Sequence, residues 1–358
     1  MSRRKSGLEG KALLAPHGCE PARPRQRSRT GRVRIQDVAD CAGVSAMTVS
    51  RALHRPELLS PELLGRVLEA VQAVGYTPDL AASSLASNRT GIVAVIVPTL
   101  ANAVFSETID GIQEVLARTG HHLILANSHY DPAAEETVLT ALLGRRPDGI
   151  MIVGVTHTSL TRESLRAAGL PVVEMWDLTD TPIDIVVGFS NQNAAFALVR
   201  SMAEAGYRRI AHVVGLEGDA ARAGARRHGY ETALLAAGLG PPYTLELAGA
   251  ATLANGARAV SALHGQFDAA FFADDVMAAG ALLECRARGL RVPQDFAVAG
   301  FGDSELSAHL DPKLTTVRVA GREIGRRAAE LLVRRMSGED DGTRVIDVGF
   351  AVVRRGSV

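Results

Sequence analysis

Residues 35–53 read Ile-Gln-Asp-Val-Ala-Asp-Cys-Ala-Gly-Val-Ser-Ala-Met-Thr-Val-Ser-Arg-Ala-Leu. Ile35, Val38 and Ala39 recur at helical spacing. Gly43 then supplies a permissive backbone for a tight turn, and Ser45 is a good N-cap for a second helix reaching about Leu53. Ala39 is small where two helices must cross closely. Val38, Val44, Val49 and Leu53 form the shared core, which leaves Ala46, Met47, Ser50 and Arg51 facing outward on the second helix. This is a helix-turn-helix, whose second helix presents its N-terminus to a DNA groove; an ordinary helical hairpin is the competing reading.

Working outward, Pro56 ends that helix. Ser60-Pro61 opens a third helix, with Leu63, Leu64, Val67, Leu68, Val71 and Val74 on one stripe and Gly75 as its stop. Residues 78–90 are small, polar and rich in Ala and Ser, a linker able to become helical against a partner. From Gly91 short aliphatic strands alternate with amphipathic helices. Strands are predicted at Ile92–Val97, His122–Asn127, Gly149–Val153, Pro171–Met175, Ile210–Val214, Ala269–Ala273 and Phe296–Gly300, and helices are predicted to open after Asn102, at Asp131-Pro132 and at Asn191. Repeated βα alternation specifies doubly wound parallel sheets. So long a region makes two lobes with a cleft between them, where ligands bind beyond the strand ends.

The formal net charge is zero, with 39 Lys+Arg against 39 Asp+Glu, which taken whole argues against a polyanionic partner. The distribution says otherwise. Residues 1–34 carry ten basic and two acidic residues, a basic, Pro/Gly/Ser-rich tail with no apolar periodicity and no expected fixed structure; a solvated tail without a partner is the plain alternative. No segment approaches the ~18–20 apolar residues of a membrane span, and no apolar stretch follows Arg3-Arg4-Lys5 as in a signal peptide, so a cytoplasmic protein is expected. Cys19, Cys41 and Cys285 are too far apart to suggest a disulfide framework or zinc site. No metal or cofactor is expected.

Residues 35–53, together with Gly75-Tyr76-Thr77-Pro78, resemble the headpiece of the LacI/GalR family of transcription repressors. The resemblance implies base reading by Ala46, Met47 and Arg51, with Arg51 able to take guanine in bidentate fashion and Met47 to touch a thymine methyl. Thr48 and Ser50 suit phosphate contacts, and Ser45 is a further DNA-binding candidate. It also implies a hinge helix over residues 79–87 whose Leu85 wedges the minor groove, and a homodimer, or a tetramer of dimers, on double-stranded, pseudo-palindromic operator DNA. The tail is a departure: it is either an added basic arm or lies upstream of the true translation start.

Residues 91–358 resemble the family's periplasmic-binding-protein-like regulatory core, with markers such as Asp148-Gly149-Ile150, Gly206-Tyr207-Arg208-Arg209-Ile210 and Pro312-Lys313-Leu314-Thr315-Thr316-Val317. Pro98 to Phe105, Pro171 to Asp177 and Asp184 to Asn191 look closest to the gluconate-operon repressors. The resemblance places an effector on Arg226, with Arg222 one turn earlier on the same face. Two arginines there clamp a carboxylate, favouring a sugar acid, unless they are simply a solvated helix face. Asp274, Asn102 and Phe105 match further contacts, and His157 follows a strand end in the same lobe. Either Asp274 or Asp275 could serve only as an N-cap, Asp275 the more so. Where the family often has Asp after Gly-Phe, this chain has Gly302, and Asp303 is the candidate substitute.

The expected fold is α/β: a helix-turn-helix headpiece plus a two-lobed core of two doubly wound parallel sheets. The expected domains are a tail (1–32), headpiece (33–78), hinge (79–90) and effector-binding and dimerisation core (91–358). The expected function is ligand-responsive transcription repression controlled by a small gluconate-like acid; a neutral sugar or nucleobase effector is the alternative, and a sugar-binding protein or an enzyme a more distant one. None of GxxxxGK[ST], HExxH, GxSxG or GxGxxG occurs. Because residues 35–90 carry four basic and six acidic residues, the tail supplies the positive surplus. Deleting residues 1–30 is therefore expected to weaken non-specific DNA binding and flatten its salt dependence while sequence preference survives, as measured by binding titrations across ionic strength.

Overall fold

The computed structural model describes residues 33–77, 89–100 and 102–358, and the chain divides between Ala86 and Ser87 into two compact units. The first holds α1 (Ile35–Ala42), α2 (Ala46–His54) and α3 (Pro61–Val74). Gly43 ends α1 at φ 64°, a left-handed geometry that glycine adopts without strain. Ser45 caps α2 by accepting the Thr48 N–H at 3.1 Å, and Ser60 caps α3, with Pro61 in its first position. Val38, Ala39, Val49, Ala52, Val67 and Ala70 are buried together. On α3 the buried face follows Val67, Ala70, Val71 and Val74. Leu68 falls off it and is 43% exposed, which corrects the expected stripe: one residue beyond Val67 is a 100° rotation away.

The second unit has two sheets. In the first lobe, β1 (Ile92–Val97), β2 (His122–Asn127), β3 (Gly149–Val153), β4 (Val172–Met175), β5 (Ile185–Gly188) and β11 (Val345–Asp347) make a parallel sheet in the order β11-β5-β4-β3-β1-β2. The alternation of β1 shows why both faces are covered. Ala94 and Ile96 pack with Leu139, Leu142 and Leu165 from α5 (Pro132–Leu143) and α6 (Ser159–Ala168). Val93, Val95 and Val97 belong to the opposite core, with Ile112 and Leu116 of α4 (Ala103–Thr119) and Ala328 and Leu332 of α11 (Gly321–Met336). In the second lobe, β6 (Ile210–Gly215), β7 (Thr244–Leu247), β8 (Ala269–Phe272) and β9 (Ala297–Ala299) are parallel in the order β7-β6-β8-β9. Helices α7 (Asn191–Glu204) and α8 (Ala220–Ala236) cover one face; α9 (Leu253–Leu263) and α10 (Asp275–Ala287) cover the other. A short antiparallel pair, β10 (Thr316–Arg318) with β12 (Ala351–Val353), extends the β9 edge through bridges Ala299–Thr315 and Gly302–Arg318. The chain thus passes between lobes three times: from β5 to α7, from β10 to α11, and from β11 to β12.

The seven predicted strands are present within a residue or two at their ends. Strands β5, β7, β10, β11 and β12 were not predicted. Each is three or four residues long, too short for a periodic signal. Among the described residues no helix is long and apolar enough to cross a membrane.

Three helix pairs approach through glycine. A Cβ on Gly111 of α4 would lie 2.2 Å from the Arg322 carbonyl of α11, and one on Gly325 2.0 Å from that of Thr108. A Cβ on Gly229 of α8 would meet the Gln192 carbonyl of α7 at 2.1 Å. Gly256 and Gly280 seat α9 on α10, with 1.9 Å and 2.1 Å to the Met277 and Leu253 carbonyls. These neighbours are backbone and cannot swing away, so Gly256→Ala is expected to cost about 1–3 kcal/mol by overpacking, read as a lower denaturant midpoint at unchanged slope.

Candidate functional site

Between the lobes lies a cleft of about 230 Å³, below the roughly 300–1,000 Å³ of drug-sized pockets and suited to a monosaccharide-sized ligand. Helix caps build its polar walls. Asn102 caps α4 by accepting the Val104 N–H, and its amide donates across the cleft to Asp274 Oδ2 at 3.0 Å. Asp274 uses its other oxygen to cap α10, accepting from Val276 at 2.7 Å. Asp219 caps α8, which puts Arg222 and Arg226 on the cleft one turn apart. Arg222 is only 5% exposed; its guanidinium pairs with Asp219 at 3.2 Å and lies 4.0 Å from Asp177.

A second set of contacts joins the lobes. Arg226 Nη1 donates to Asn191 Oδ1 at 2.9 Å, while Asn191 Nδ2 donates to Asp177 Oδ1 at 2.9 Å and to the Trp176 carbonyl at 3.3 Å. Ser190 caps α7, so the Asn191 side chain is free for this bridge. Trp176 sits at φ 80°, a costly conformation for so bulky a residue. The turn it makes presses on Gly188, where a Cβ would lie 2.2 Å from the Asp177 carbonyl. The Trp176 indole N–H donates to Thr108 at 3.2 Å. Phe105, Trp176, Phe189 and Phe301 follow one another with ring centroids 5.2–6.2 Å apart, the first two pairs edge to face and the third tilted, and form the apolar floor. The two guanidiniums lie over the Phe105 and Phe301 rings at 5.6 and 5.0 Å.

Hydrogen bonding in the cleft is incomplete. Arg222 Nη1 and Arg226 Nε have no hydrogen-bond partner among the described residues. Burial, and then the neighbouring Arg222, bring Arg226 down to about 10, so it remains a cation at neutral pH. Burial pushes Asp177 up to about 6 against the pull of Arg222, and Asp274 up to about 6 against its hydrogen bond from Val276.

Arg226, Arg222, Asp274, Asn102 and Phe105 thus share one cleft. Two predicted residues lie elsewhere. The His157 ring is buried against Glu135 (2.8 Å) and the Gly154 carbonyl (3.2 Å), and Asp303 is held by Arg318 and Arg355 at 2.6 Å each. The N-cap role falls to Asp274 and not Asp275. Asp275 is buried and accepts from Ser304 N–H, Ser307 and Thr316, a tie between loops. Asn191, Asp219, Tyr130, Trp176 and Phe301 line the cleft without having been predicted, and Asp177, also not predicted, stands behind it against Asn191 and Arg222. For Trp176 and Asp177 the available signal was the Met-Trp-Asp stretch directly after a predicted strand.

On the headpiece, Met47 is 71% exposed and Arg51 is exposed beside it at helical spacing, with Ser50 half-buried. Met47 and Arg51 thus stand one turn apart on the outer side of α2. Ser45 and Thr48 are joined by their hydroxyls at 2.9 Å. Ala46 is half-buried against the headpiece core, which narrows its expected outward role to one edge of the helix. Leu85 and the expected hinge helix, like the tail, lie outside the described residues.

Asp177 and Asp274, at about 6 in the folded protein and near 3.9 when unfolded, bind more protons folded than unfolded between those values. Their contribution to stability therefore falls as pH rises from about 4 to 6. In thermal melts of the ligand-free protein, Asp177→Asn is expected to flatten the pH dependence across that window relative to wild type, and addition of Asp274→Asn to flatten it further.

Residues 34–79 match the family model for bacterial regulatory proteins of the lacI family, and residues 199–358 that for periplasmic binding protein-like domains. The chain is 35% identical over 327 residues to the HTH-type transcriptional regulator GntR of Escherichia coli K12, covering 90% of this chain and 98% of that one. It is 36% identical over 332 residues to GntR of Pseudomonas aeruginosa, covering 92% and 96%. A LacI-family transcriptional regulator from Silicibacter pomeroyi superposes with a TM-score of 0.84 at 35% identity, over 91% of this chain and 99% of that one. With a lacI-type helix-turn-helix ahead of a two-lobed core, the chain belongs to the LacI family of DNA-binding transcription regulators.

Proposed function

We propose that the protein is a repressor that binds a pseudo-palindromic operator as a dimer in the cytoplasm, its affinity set by a small sugar acid of gluconate type held in the cleft. One observation carries the effector class: two arginines one turn apart on α8, Arg222 buried and Arg226 half-buried, each with a buried guanidinium N–H lacking a partner among the described residues. An unmade hydrogen bond on a buried charged group is costly, and a carboxylate supplies what both guanidiniums lack. Asn102 and Asp274 then suit the hydroxyls along the ligand, and the aromatic floor suits its C–H faces. The relatives named GntR support the same class. On the headpiece Met47 and Arg51 read bases, with Ala46 at their edge, Ser45, Thr48 and Ser50 holding phosphates and Leu85 wedging the minor groove. Effector binding favours one lobe orientation over another, and that difference is the coupling between the sites.

Arg226→Ala is expected to weaken D-gluconate binding by tenfold or more and to abolish its effect on DNA, while ligand-free operator affinity stays near wild type; titration calorimetry and DNA-binding assays read the two separately. Binding of neutral ribose or galactose with no response to aldonic or ketoaldonic acids would overturn the acid effector, and equal affinity for promoter and random DNA at physiological salt would overturn specific regulation.

A further inference from the structure

Tyr130 lies in the turn between β2 and α5 of the first lobe, and the apolar floor and charge pairs described above leave it without a role. Both His129 and Tyr130 adopt left-handed conformations, φ 54° and 59°. Two successive non-glycine residues in that region are strained. The turn is held regardless: Asn127 Oδ1 accepts the His129 N–H at 3.0 Å, and the Ser128 carbonyl accepts that of Asp131 at 2.9 Å. Its effect is to place a phenol on the cleft wall. The phenol hydroxyl makes no hydrogen bond among the described residues. It lies within electrostatic reach of Arg222, Asp274, Asp219 and Arg226, all from the second lobe, with Arg222 the strongest of them. Burial raises the phenol's pKa, so it is a proton donor throughout the physiological range.

We propose that Tyr130 is the first lobe's donor to the effector carboxylate: an acid seated on Arg222 and Arg226 of the second lobe accepts a further hydrogen bond from the Tyr130 hydroxyl across the cleft. This rests on the acid-effector reading above and adds to it a selectivity device. A neutral analogue fills the same space but gives the phenol a weaker acceptor. Because the arginines and the phenol stand on different lobes, the carboxylate adds a further link to the contacts already joining the lobes, which ties ligand charge to lobe orientation.

The test is titration calorimetry on the full chain, wild type and Tyr130→Phe, with D-gluconate and, by competition, D-gluconamide. The variant keeps the ring and the turn, so its melting temperature should stay near wild type. The hydroxyl's hydrogen bond to a charged acceptor is expected to be worth ten- to hundredfold in gluconate affinity. The preference for acid over amide should fall by the same factor. Gluconate binding within threefold of wild type, or an equal loss for acid and amide, overturns the proposal; the latter makes Tyr130 a shape-determining residue only. A wild-type protein that binds neither gluconate nor related hexonic acids instead overturns the acid-effector reading, and this inference with it.

Discussion

Two cations one turn apart on α8 set the terms for the regulatory core. Arg222 is buried and Arg226 half-buried, and a charge drawn out of water must be compensated locally. The second lobe offers Asp219 at 3.2 Å to Arg222 and the Asn191 amide at 2.9 Å to Arg226. Further compensation comes from Asp177 of the first lobe, directly at 4.0 Å and through Asn191. Burial of Asp177 in turn lifts its carboxyl to about 6, so near neutrality its charge is itself held at a cost. The arrangement leaves one N–H on each arginine without an acceptor among the described residues, and an anionic ligand would supply that acceptor.

The same contacts explain how a small ligand could act on a large body. Of the three passages between lobes, the first leaves β5 beside Phe189 and the second leaves β10 beside Val319, and both residues line the cleft. Asn191, the first residue of α7, receives Arg226 on one side and grips the Trp176–Asp177 turn on the other. A ligand that draws Arg226 away from Asn191 would change the hold of the second lobe on the end of β4. The glycine-seated helix pairs make each lobe stiff, because their backbones already touch. Displacement is therefore most easily absorbed between the lobes.

The fold was legible where periodicity had room to register. The six-residue run Ile92–Val97 announces β1, and Ser60-Pro61 with Gly75 brackets α3 within a residue. Ile185–Gly188 and Val345–Asp347 are central and edge strands of the same sheet, yet neither differs locally from an apolar loop; the sheet, not the segment, makes them strands. The cleft follows the same logic. Arg226 and Arg222 stand out as a spaced pair on a helix, and Asn102 and Asp274 as caps at strand ends. His157 and Asp303 share those positions by sequence but turn to partners 22 and 15 or more residues away, which no local pattern reveals. Tyr130 was missed because positive φ in a non-glycine residue leaves no mark in the sequence, and for Trp176 the only mark was its place at the end of a predicted strand.

Gly302 shows how the backbone can narrow the choice of ligand. Its φ of 134° lies in a region that a side chain rarely enters, so the aspartate that the family often carries there is not readily accommodated in this conformation. The acid one residue later is locked between Arg318 and Arg355. One hydroxyl-gripping carboxylate is thereby missing from the cleft, while Arg222 and Arg226 each keep an N–H without an acceptor among the described residues. A further acid at 302, where a Cβ would lie 3.7 Å from Asp275 Oδ2, would raise the cost of admitting an anion; glycine there lowers it. The absence at 302 and the arginine at 222 therefore act in the same direction, and together they support an acid as the occupant more strongly than either residue does alone.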